Sequence, residues 1–292
     1  MIRATAPAKI NLSLDVLRRR PDGFHDLETI FQEIGWCDEL CFAPAETDSF
    51  RVDGPFASGI PTDATNLVRR AVAALRARCP GSLPPLHVVL TKNVPSGAGL
   101  GGGSSDAAAT LRVLAASHGL DLPQDELETI AASLGSDCAF FIRGGTAHAT
   151  GRGENLEPLV CKRDYALLVA VPPVSVSTAR AFGALEPRDL GAQTDWPALR
   201  KWVVGEADLP PLHNTFERPV CSAYPSVSET LAKLRALNPL DAQLSGSGAA
   251  CFAVFPDVRS AARAAGQWEQ DGTAVRVCLP GGGGNKPSAT GV

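Results

Sequence analysis

A glycine-rich segment at residues 95–105, Pro-Ser-Gly-Ala-Gly-Leu-Gly-Gly-Gly-Ser-Ser, has the composition of a phosphate-binding loop. Where side chains are missing, backbone N–H groups can approach an anion closely. An amphipathic pattern follows and predicts a helix over 105–118, whose first amides would be unpaired and partly positive. Ser104 and Ser105 place hydroxyl groups at the start of that helix. The segment therefore predicts a site for the phosphate groups of a ligand.

Two other phosphate-binding motifs fit this segment less well. No Gly-Lys-Ser/Thr closes the loop, so it is not a Walker A sequence. Gly97, Gly99 and Gly102 match Gly-x-Gly-x-x-Gly, but a dinucleotide-binding loop normally follows the first strand of its domain. A flexible linker is a third interpretation, and it does not account for the buried strand before the loop or the helix after it.

Two polar residues elsewhere could act on a transferring phosphoryl group, which needs charge neutralisation and a carboxylate to orient the acceptor hydroxyl. Lys9 lies in the alternating segment Ala-Pro-Ala-Lys-Ile-Asn-Leu at residues 6–12. Asp137 lies just before the apolar run Cys-Ala-Phe-Phe. Taken alone, Lys9 could equally be a solvated strand residue and Asp137 a helix or turn cap.

The elements that position these residues divide the chain into two regions. Alternation predicts strands over 2–16, 27–36, 86–90 and 139–150, with a turn at 20–23. Helical patterns cover 66–79, 105–118 and 125–134, and Thr62, Asp63 or Thr65 could cap the first of them. A second region contains strands at 165–171, 249–255 and 275–279 and helices at 226–237 and 258–267. We predict domains at 1–160 and 161–280, and a disordered Gly- and Pro-containing tail at 281–292.

Composition limits the possible partners and compartments. The net charge of −4 and a pI near 5.8 disfavour nucleic acid as the main partner. The start of the chain lacks the basic and apolar segments of a signal peptide, and no apolar run is long enough to span a bilayer. The eight cysteines show no metal-ligand spacing, which indicates reduced core thiols and no protein-bound metal. These observations predict a cytoplasmic protein without a membrane partner.

Several segments together resemble the GHMP kinase superfamily, which includes galactokinase, homoserine kinase and mevalonate kinase. Residues 95–105 resemble its central motif, Pro-x-x-x-Gly-Leu-Gly-[Gly/Ser]-Ser-[Ser/Ala]. Residues 244–249, Leu-Ser-Gly-Ser-Gly-Ala, resemble its C-terminal glycine motif, which folds back beside the nucleotide phosphates. The resemblance extends over about residues 3–280.

Four stretches are similar to one branch of that superfamily, the kinases that act on 4-diphosphocytidyl-2-C-methyl-D-erythritol in non-mevalonate isoprenoid synthesis. Residues 7–12 resemble the opening motif of this branch, and residues 20–27 resemble Arg-x-Asp-Gly-Tyr-His-x-Leu. Residues 134–141 resemble Gly-Ala-Asp-Val-Pro-Phe-Phe, with Ser136, Cys138 and Ala139 as small departures. Residues 213–217 resemble Asn-Asp-[Phe/Leu]-Glu.

The resemblance implies roles for the catalytic and nucleotide-binding residues. Asp137 would accept the proton of the substrate's 2-hydroxyl, and Lys9 would keep Asp137 ionised and stabilise charge on the γ-phosphoryl group. ATP would bind as its Mg²⁺ complex, with no protein residue named as a metal ligand, and Asn66 would lie on the adenine side. The residues expected at the ATP phosphates are Pro95, Ser96, Gly97, Ala98, Gly99, Leu100, Gly101, Gly102, Gly103, Ser104 and Ser105.

The resemblance also implies a substrate wall. Asn11 and His25 would contact the substrate, and His25 would bond the edge of the cytosine. Phe24 stands where the family has a tyrosine stacked on that ring, so an aromatic face remains but the hydroxyl is missing. Thr178 and Phe182 would form the opposite wall.

The implied fold is α+β with two domains, the first resembling the ribosomal protein S5 second domain and the second ferredoxin-like. The partner would be a small molecule, and the protein would be a monomer or homodimer. A kinase for another small alcohol and a nucleotide-binding module without chemistry are the alternatives. The role of Asp106 is open, because it either adds negative charge near the phosphates or stabilises the helix start by ~0.3–1 kcal/mol.

Overall fold

The computed structural model describes residues 1–269 and 271–281, which form two β-sheets with helices packed on them. The strands are β1 Ile2–Arg19, β2 His25–Pro44, β3 Ser49–Asp53, β4 Leu86–Thr91, β5 Thr146–Gly151, β6 Asn155–Leu159, β7 Ala166–Val171, β8 Asp241–Leu244, β9 Cys251–Phe255 and β10 Ala274–Cys278. The α-helices are α1 Leu67–Arg78, α2 Gly102–Ser117, α3 Gln124–Leu134, α4 Cys138–Arg143, α5 Thr178–Gly183, α6 Trp196–Val203, α7 Glu217–Ala223, α8 Pro225–Ala236 and α9 Val258–Ala265.

The first sheet is built on the two long strands β1 and β2, which pair in antiparallel fashion. Its order is β3-β4-β2-β5-β6, with β1 also paired to β2. Helix α2 packs on β1 and against α1, α3 and α4. The apolar faces of these helices and the sheet form one core, which includes Phe42, Leu75, Leu111 and Phe140. This core fixes the axis of α2 and therefore the place of the glycine loop that leads into it.

The second sheet has the antiparallel order β10-β7-β9-β8. Strand β7 precedes helices α5–α8, then β8 and β9 form a pair, and α9 leads into β10. This order is that of a ferredoxin-like β-α-β-β-α-β unit, elaborated by extra helices. The predicted α+β fold class is confirmed, while the domain boundary at residue 160 stays a prediction.

Strand β1 contacts both sheets. It pairs with β2 of the first sheet along its whole length, and its later residues Leu14 and Val16 pack in the core under β7–β9. The backbone of Leu14 bonds both His213 and Thr215, with His213 O accepting at 2.8 Å and Thr215 N donating at 2.9 Å. Strand β1, which carries Lys9 and Asn11, therefore lies at the seam between the sheets.

One predicted element is wrong. We expected an extended segment over 139–150, but Cys138–Arg143 is helix α4, and strand β5 begins only at Thr146. The run Phe140-Phe141-Ile142 is buried. A short, continuous apolar run is compatible with a buried strand or a buried helix turn, so its periodicity cannot distinguish them.

Two helix starts also differ from the prediction. Asn66, and not Thr62, Asp63 or Thr65, caps α1, because its side chain accepts from Val68 N. Helix α2 begins at Gly102, three residues before the predicted start, so the last glycines of the loop are themselves helical. The predicted disordered tail lies outside the described residues from 282 onward. Within the described part of the chain, none of the helices combines the length and apolarity that crossing a bilayer requires.

Candidate active site

Lys9 lies on β1 with its side chain buried and its ammonium pointed at polar groups. Its Nζ donates to Asn11 Oδ1 at 2.7 Å and lies 3.7 Å from Asp137 Oδ2. The same atom is 5.1 Å from the centre of the Phe31 ring. Burial lowers the pKa of Lys9, and the Asp137 carboxylate opposes that change. The structure thus brings together the two residues predicted to be catalytic.

Asp137 precedes α4 directly and keeps its carboxylate available. Its side chain makes no capping bond to the helix. It is 34% exposed, whereas the Lys9 side chain is 5% exposed. A carboxylate that faces the solvent side of a buried ammonium can receive a proton from an entering hydroxyl group.

The glycine loop is held against Lys9. Lys9 N donates to Leu100 O at 2.9 Å. Gly101 has φ +69°, and a Cβ atom there would lie 2.9 Å from the Phe141 ring and 3.1 Å from Lys9 Cγ. A side chain at this position would therefore need a left-handed backbone and would displace the stem of Lys9. The loop leads straight into α2, so its amides and the unpaired first-turn amides converge.

The second glycine motif, residues 244–249, packs on this loop as the resemblance implies. Ser245 Oγ donates to Gly99 O at 3.1 Å. A Cβ atom on Gly99 would overlap the Ser245 carbonyl oxygen, so the two glycine segments touch through their backbones. Asn214, which lies in the 213–217 motif but was given no role of its own, donates to Leu244 O at 2.7 Å and to Gly246 O at 3.0 Å. These bonds fix the second motif beside the first.

Asn11 is oriented by a residue that the sequence analysis missed. Its Nδ2 donates to Thr29 Oγ1 at 2.8 Å, and Thr29 donates onward to Ser13 O at 2.7 Å. This chain turns the oxygen of the Asn11 amide towards Lys9. Both ends of the amide are engaged within the protein, so a direct contact of Asn11 with substrate stays a prediction.

The predicted substrate wall is assembled in part. The His25 and Phe182 rings stack with centroids 4.8 Å apart, which leaves no space for a base between them. Phe24 is 54% exposed, and the guanidinium of Arg152 lies 4.6 Å from its ring centre. Thr178 Oγ1 is 3.0 Å from Ser247 Oγ in the second glycine motif. Partial burial and the charge of Arg19 lower the pKa of His25, which favours the neutral form of its ring.

Asn66, predicted on the adenine side, has its amide engaged as the α1 cap. Its Oδ1 accepts from Val68 N at 2.9 Å, and its Nδ2 donates to Pro61 O at 2.8 Å. A contact with adenine stays a prediction.

A buried charge cluster lies behind the glycine loop, and it includes Asp106. Lys92 Nζ donates to Asp106 Oδ2 at 2.8 Å and also pairs with Asp38. Asp38 Oδ1 accepts from the backbone N–H groups of Asn93 and Val94 at 2.6 and 2.8 Å. The Lys92, Asp38 and Asp106 side chains are 2%, 0% and 3% exposed. We call these three residues the buried triad; the sequence analysis did not single out Lys92 or Asp38.

The residues of the loop fit phosphate oxygens. Ser105 Oγ is buried and has no hydrogen-bond partner among the described residues. Residues 1–269 and 271–281 contain no group of three or more His, Cys, Asp or Glu arranged to hold a metal ion. The donor set is thus one of backbone amides, hydroxyls and Lys9, which suits an anion.

Comparisons with known proteins agree with this geometry. Residues 66–145 match the family model described as GHMP kinases N terminal domain, and residues 190–274 match GHMP kinases C terminal. The first match contains the glycine loop and Asp137, and the second contains the second glycine motif.

The chain is also similar to full-length relatives. It is 42% identical over 273 residues to a Salinibacter ruber protein named 4-diphosphocytidyl-2-C-methyl-D-erythritol kinase, covering 89% of this chain and 92% of the relative. A Chlorobium phaeobacteroides protein of the same name is 40% identical, with 90% and 92% covered. A crystal structure of 4-(cytidine 5'-diphospho)-2C-methyl-D-erythritol kinase has a TM-score of 0.81 at 34% identity, covering 97% of this chain and 100% of the other. A homoserine kinase from Cytophaga hutchinsonii (TM-score 0.72, 18% identity) shares the fold. The chain therefore belongs to the GHMP kinase family, among relatives named 4-diphosphocytidyl-2-C-methyl-D-erythritol kinase.

Proposed function

We propose that the protein is an ATP-dependent kinase that phosphorylates the 2-hydroxyl of 4-diphosphocytidyl-2-C-methyl-D-erythritol. The products are the 2-phosphate and ADP, in non-mevalonate isoprenoid precursor synthesis. The observation that carries the proposal is the Lys9–Asp137 pair, 3.7 Å apart, whose Lys9 bonds to the glycine loop. The names of relatives that are 36–42% identical over most of the chain support this substrate.

The geometry supports an in-line phosphoryl transfer. The loop amides and the start of α2 would hold the ATP phosphates. Asp137 accepts the proton as the substrate hydroxyl oxygen bonds to the γ-phosphorus. The bond from that phosphorus to the β–γ bridging oxygen breaks, and its electrons leave with ADP. Lys9 would stabilise the negative charge that develops on the transferred group, and its buried ammonium would act there without rearrangement.

Magnesium, bound to the ATP phosphates, would neutralise part of their charge. Because the loop offers hydrogen-bond donors that suit an anion, we expect Mg²⁺ to arrive bound to the nucleotide, and we name no protein ligand for it. Lys9 is the protein's own cation at the transferred group, and its bond to Asn11 keeps the ammonium on the side of Asp137.

Phe24 and His25 are proposed to bind the cytosine. Because the His25 and Phe182 rings already stack on each other, the base would lie on the exposed Phe24 ring, with neutral His25 at its edge. A neutral imidazole can both donate and accept, which matches the mixed donor and acceptor edge of cytosine. Thr178, next to the second glycine motif, would contact the part of the substrate closer to the phosphates.

A parallel phosphoryl-transfer assay tests the proposal. The purified protein receives MgATP with 4-diphosphocytidyl-2-C-methyl-D-erythritol, homoserine or mevalonate, beside the Asp137→Asn variant. ADP release with the cytidyl substrate alone, lost in the variant, is the expected result. ADP release with homoserine or mevalonate would overturn the substrate assignment. If no ADP is released with any of the three substrates, the kinase function itself is overturned. Cytoplasmic location and a monomeric or homodimeric state stay predictions.

A further inference from the structure

The buried triad carries an inference about the nucleotide site. Its three side chains come from β2 (Asp38), from the residue after β4 (Lys92) and from α2 (Asp106), and all are at most 3% exposed. Two carboxylates therefore share one ammonium. If all three groups were ionised, the cluster would hold one net negative charge away from water, which is unfavourable.

The triad lies directly behind the atoms expected to bind phosphate. A Cβ atom on Gly102, the first residue of α2, would lie 3.3 Å from both Lys92 Nζ and Asp38 Oδ2. The amides of the loop thus have a buried charge cluster on one side and the phosphate site on the other. A net negative cluster at this place would repel the phosphates, whereas a neutral cluster would not.

The two carboxylates are not equivalent. Asp38 accepts from two backbone N–H groups and from Lys92, and three such bonds suit a carboxylate. Asp106 accepts from Lys92 through Oδ2, while its Oδ1 is buried without a hydrogen-bond partner among the described residues. The proton that would neutralise the cluster therefore belongs on Asp106.

The electrostatics agree with that placement. Burial raises the pKa of Asp106 to about 7; the charge of Lys92 opposes the change and the charge of Asp38 adds to it. Lys92, which follows β4, and Asp38, on β2, are the charged groups that act on Asp106. Asp106 would then be partly protonated near pH 7 in the free protein.

We propose that Asp106 is a positioning residue of the nucleotide site, which takes up a proton when nucleotide phosphates bind at the adjoining loop. This inference rests on the proposed function. Phosphate charge favours the protonated form of a nearby carboxyl group, and by linkage the protonated form favours phosphate binding. The proton removes the net charge of the triad, so the loop amides face the phosphates without opposition from behind.

Calorimetric titration with MgADP measures this proton directly. At pH 7.5 and in excess magnesium, MgADP has no phosphate proton of its own to exchange. Titrations in two buffers of different ionisation enthalpy give the protons taken up per nucleotide. For wild type we expect an uptake of up to about 0.8 proton at pH 7.5, and a roughly 5- to 25-fold weaker Kd at pH 8.5 than at pH 6.5.

The variant Asp106→Asn keeps the shape of the side chain and removes its titration, so we expect no uptake and a nearly pH-independent Kd. The matched control is Asp48→Asn. Asp48 lies at the outer edge of the first sheet, where hydrogen bonds from Arg76 lower its pKa to about 2, so it cannot take up a proton in this range. The control should behave as wild type.

Nucleotide binding by wild type without proton uptake, or uptake that persists in Asp106→Asn, would overturn the proposal and leave the kinase function standing. No nucleotide binding at any pH would overturn both. If Asp106→Asn fails to fold, a wild-type titration without proton uptake still overturns the proposal.

Discussion

A double-mutant cycle on Lys9 and Asp137 tests whether these residues act as one unit. The variants are Lys9→Met, Asp137→Asn and the double substitution. At 3.7 Å and an effective dielectric constant of about 20, two unit charges attract by ~4.5 kcal/mol. Because Asp137 is one-third exposed, we discount this value by about half for solvent screening, to ~2 kcal/mol. That energy corresponds to a coupling of about 30-fold in rate.

The assay is kcat for ADP release at saturating MgATP and cytidyl substrate. Each single variant should lose about 10²–10³-fold in kcat, because a transition-state donor or the base is missing. The fold-loss in kcat of the double variant should be at least ~30 times smaller than the product of the two single fold-losses. The reason is that the second change removes a group that has already lost its partner. Lys233→Met is the matched control, because this lysine pairs with Asp271 in the second region. If the activation free-energy losses of the two single variants add up to within about 0.5 kcal/mol of the loss in the double variant, the reasoning is refuted.

Three further predictions follow from other parts of the site. Phe24→Ala should raise KM for the cytidyl substrate about tenfold, since base–aromatic stacking is worth ~1–3 kcal/mol, while KM for ATP stays unchanged; equal shifts in both KM values would contradict it. Gly101→Ala should weaken MgADP binding more than tenfold, because its φ of +69° and the nearby Phe141 ring leave no room for a Cβ atom; calorimetry showing wild-type affinity would argue against the loop geometry. Lys92→Met should lower the free energy of unfolding at pH 8 by ~3–5 kcal/mol, because it leaves two buried carboxylates without a cation. The loss should shrink as pH falls and they take up protons. Denaturant unfolding at pH 8 and pH 5 measures both, and equal losses at the two pH values would contradict this prediction.

The parts of the site that the sequence predicted are those encoded locally. The glycine loop and the helix after it are neighbours in the chain, so their composition alone indicates an anion site. Lys9 and Asp137 each have an ordinary alternative role when taken alone. Only the resemblance to known kinases joined them, and the structure then placed them 3.7 Å apart.

The parts that the sequence did not reveal depend on tertiary pairing. Lys92 looks like a solvated strand end until its partners from β2 and α2 surround it. Thr29 orients Asn11 because β1 and β2 lie side by side, and no local pattern shows which side chains face each other across that pair. Helix α4 was predicted as extended because six residues, four of them buried, are too few to show a period.

Strand β1 has a consequence for how the protein is made. Leu14 of this strand bonds to residues 213–215, which are synthesised about two hundred residues after it. Its residues Ala8, Ile10 and Leu12 share a core with Leu167 and Phe252 of the second sheet. A nascent chain that ends near residue 160 would expose this apolar strand, and contacts so distant in sequence slow folding. We therefore expect the two halves to fold as one cooperative unit, and the active site to be complete only after residues 244–249 have been synthesised.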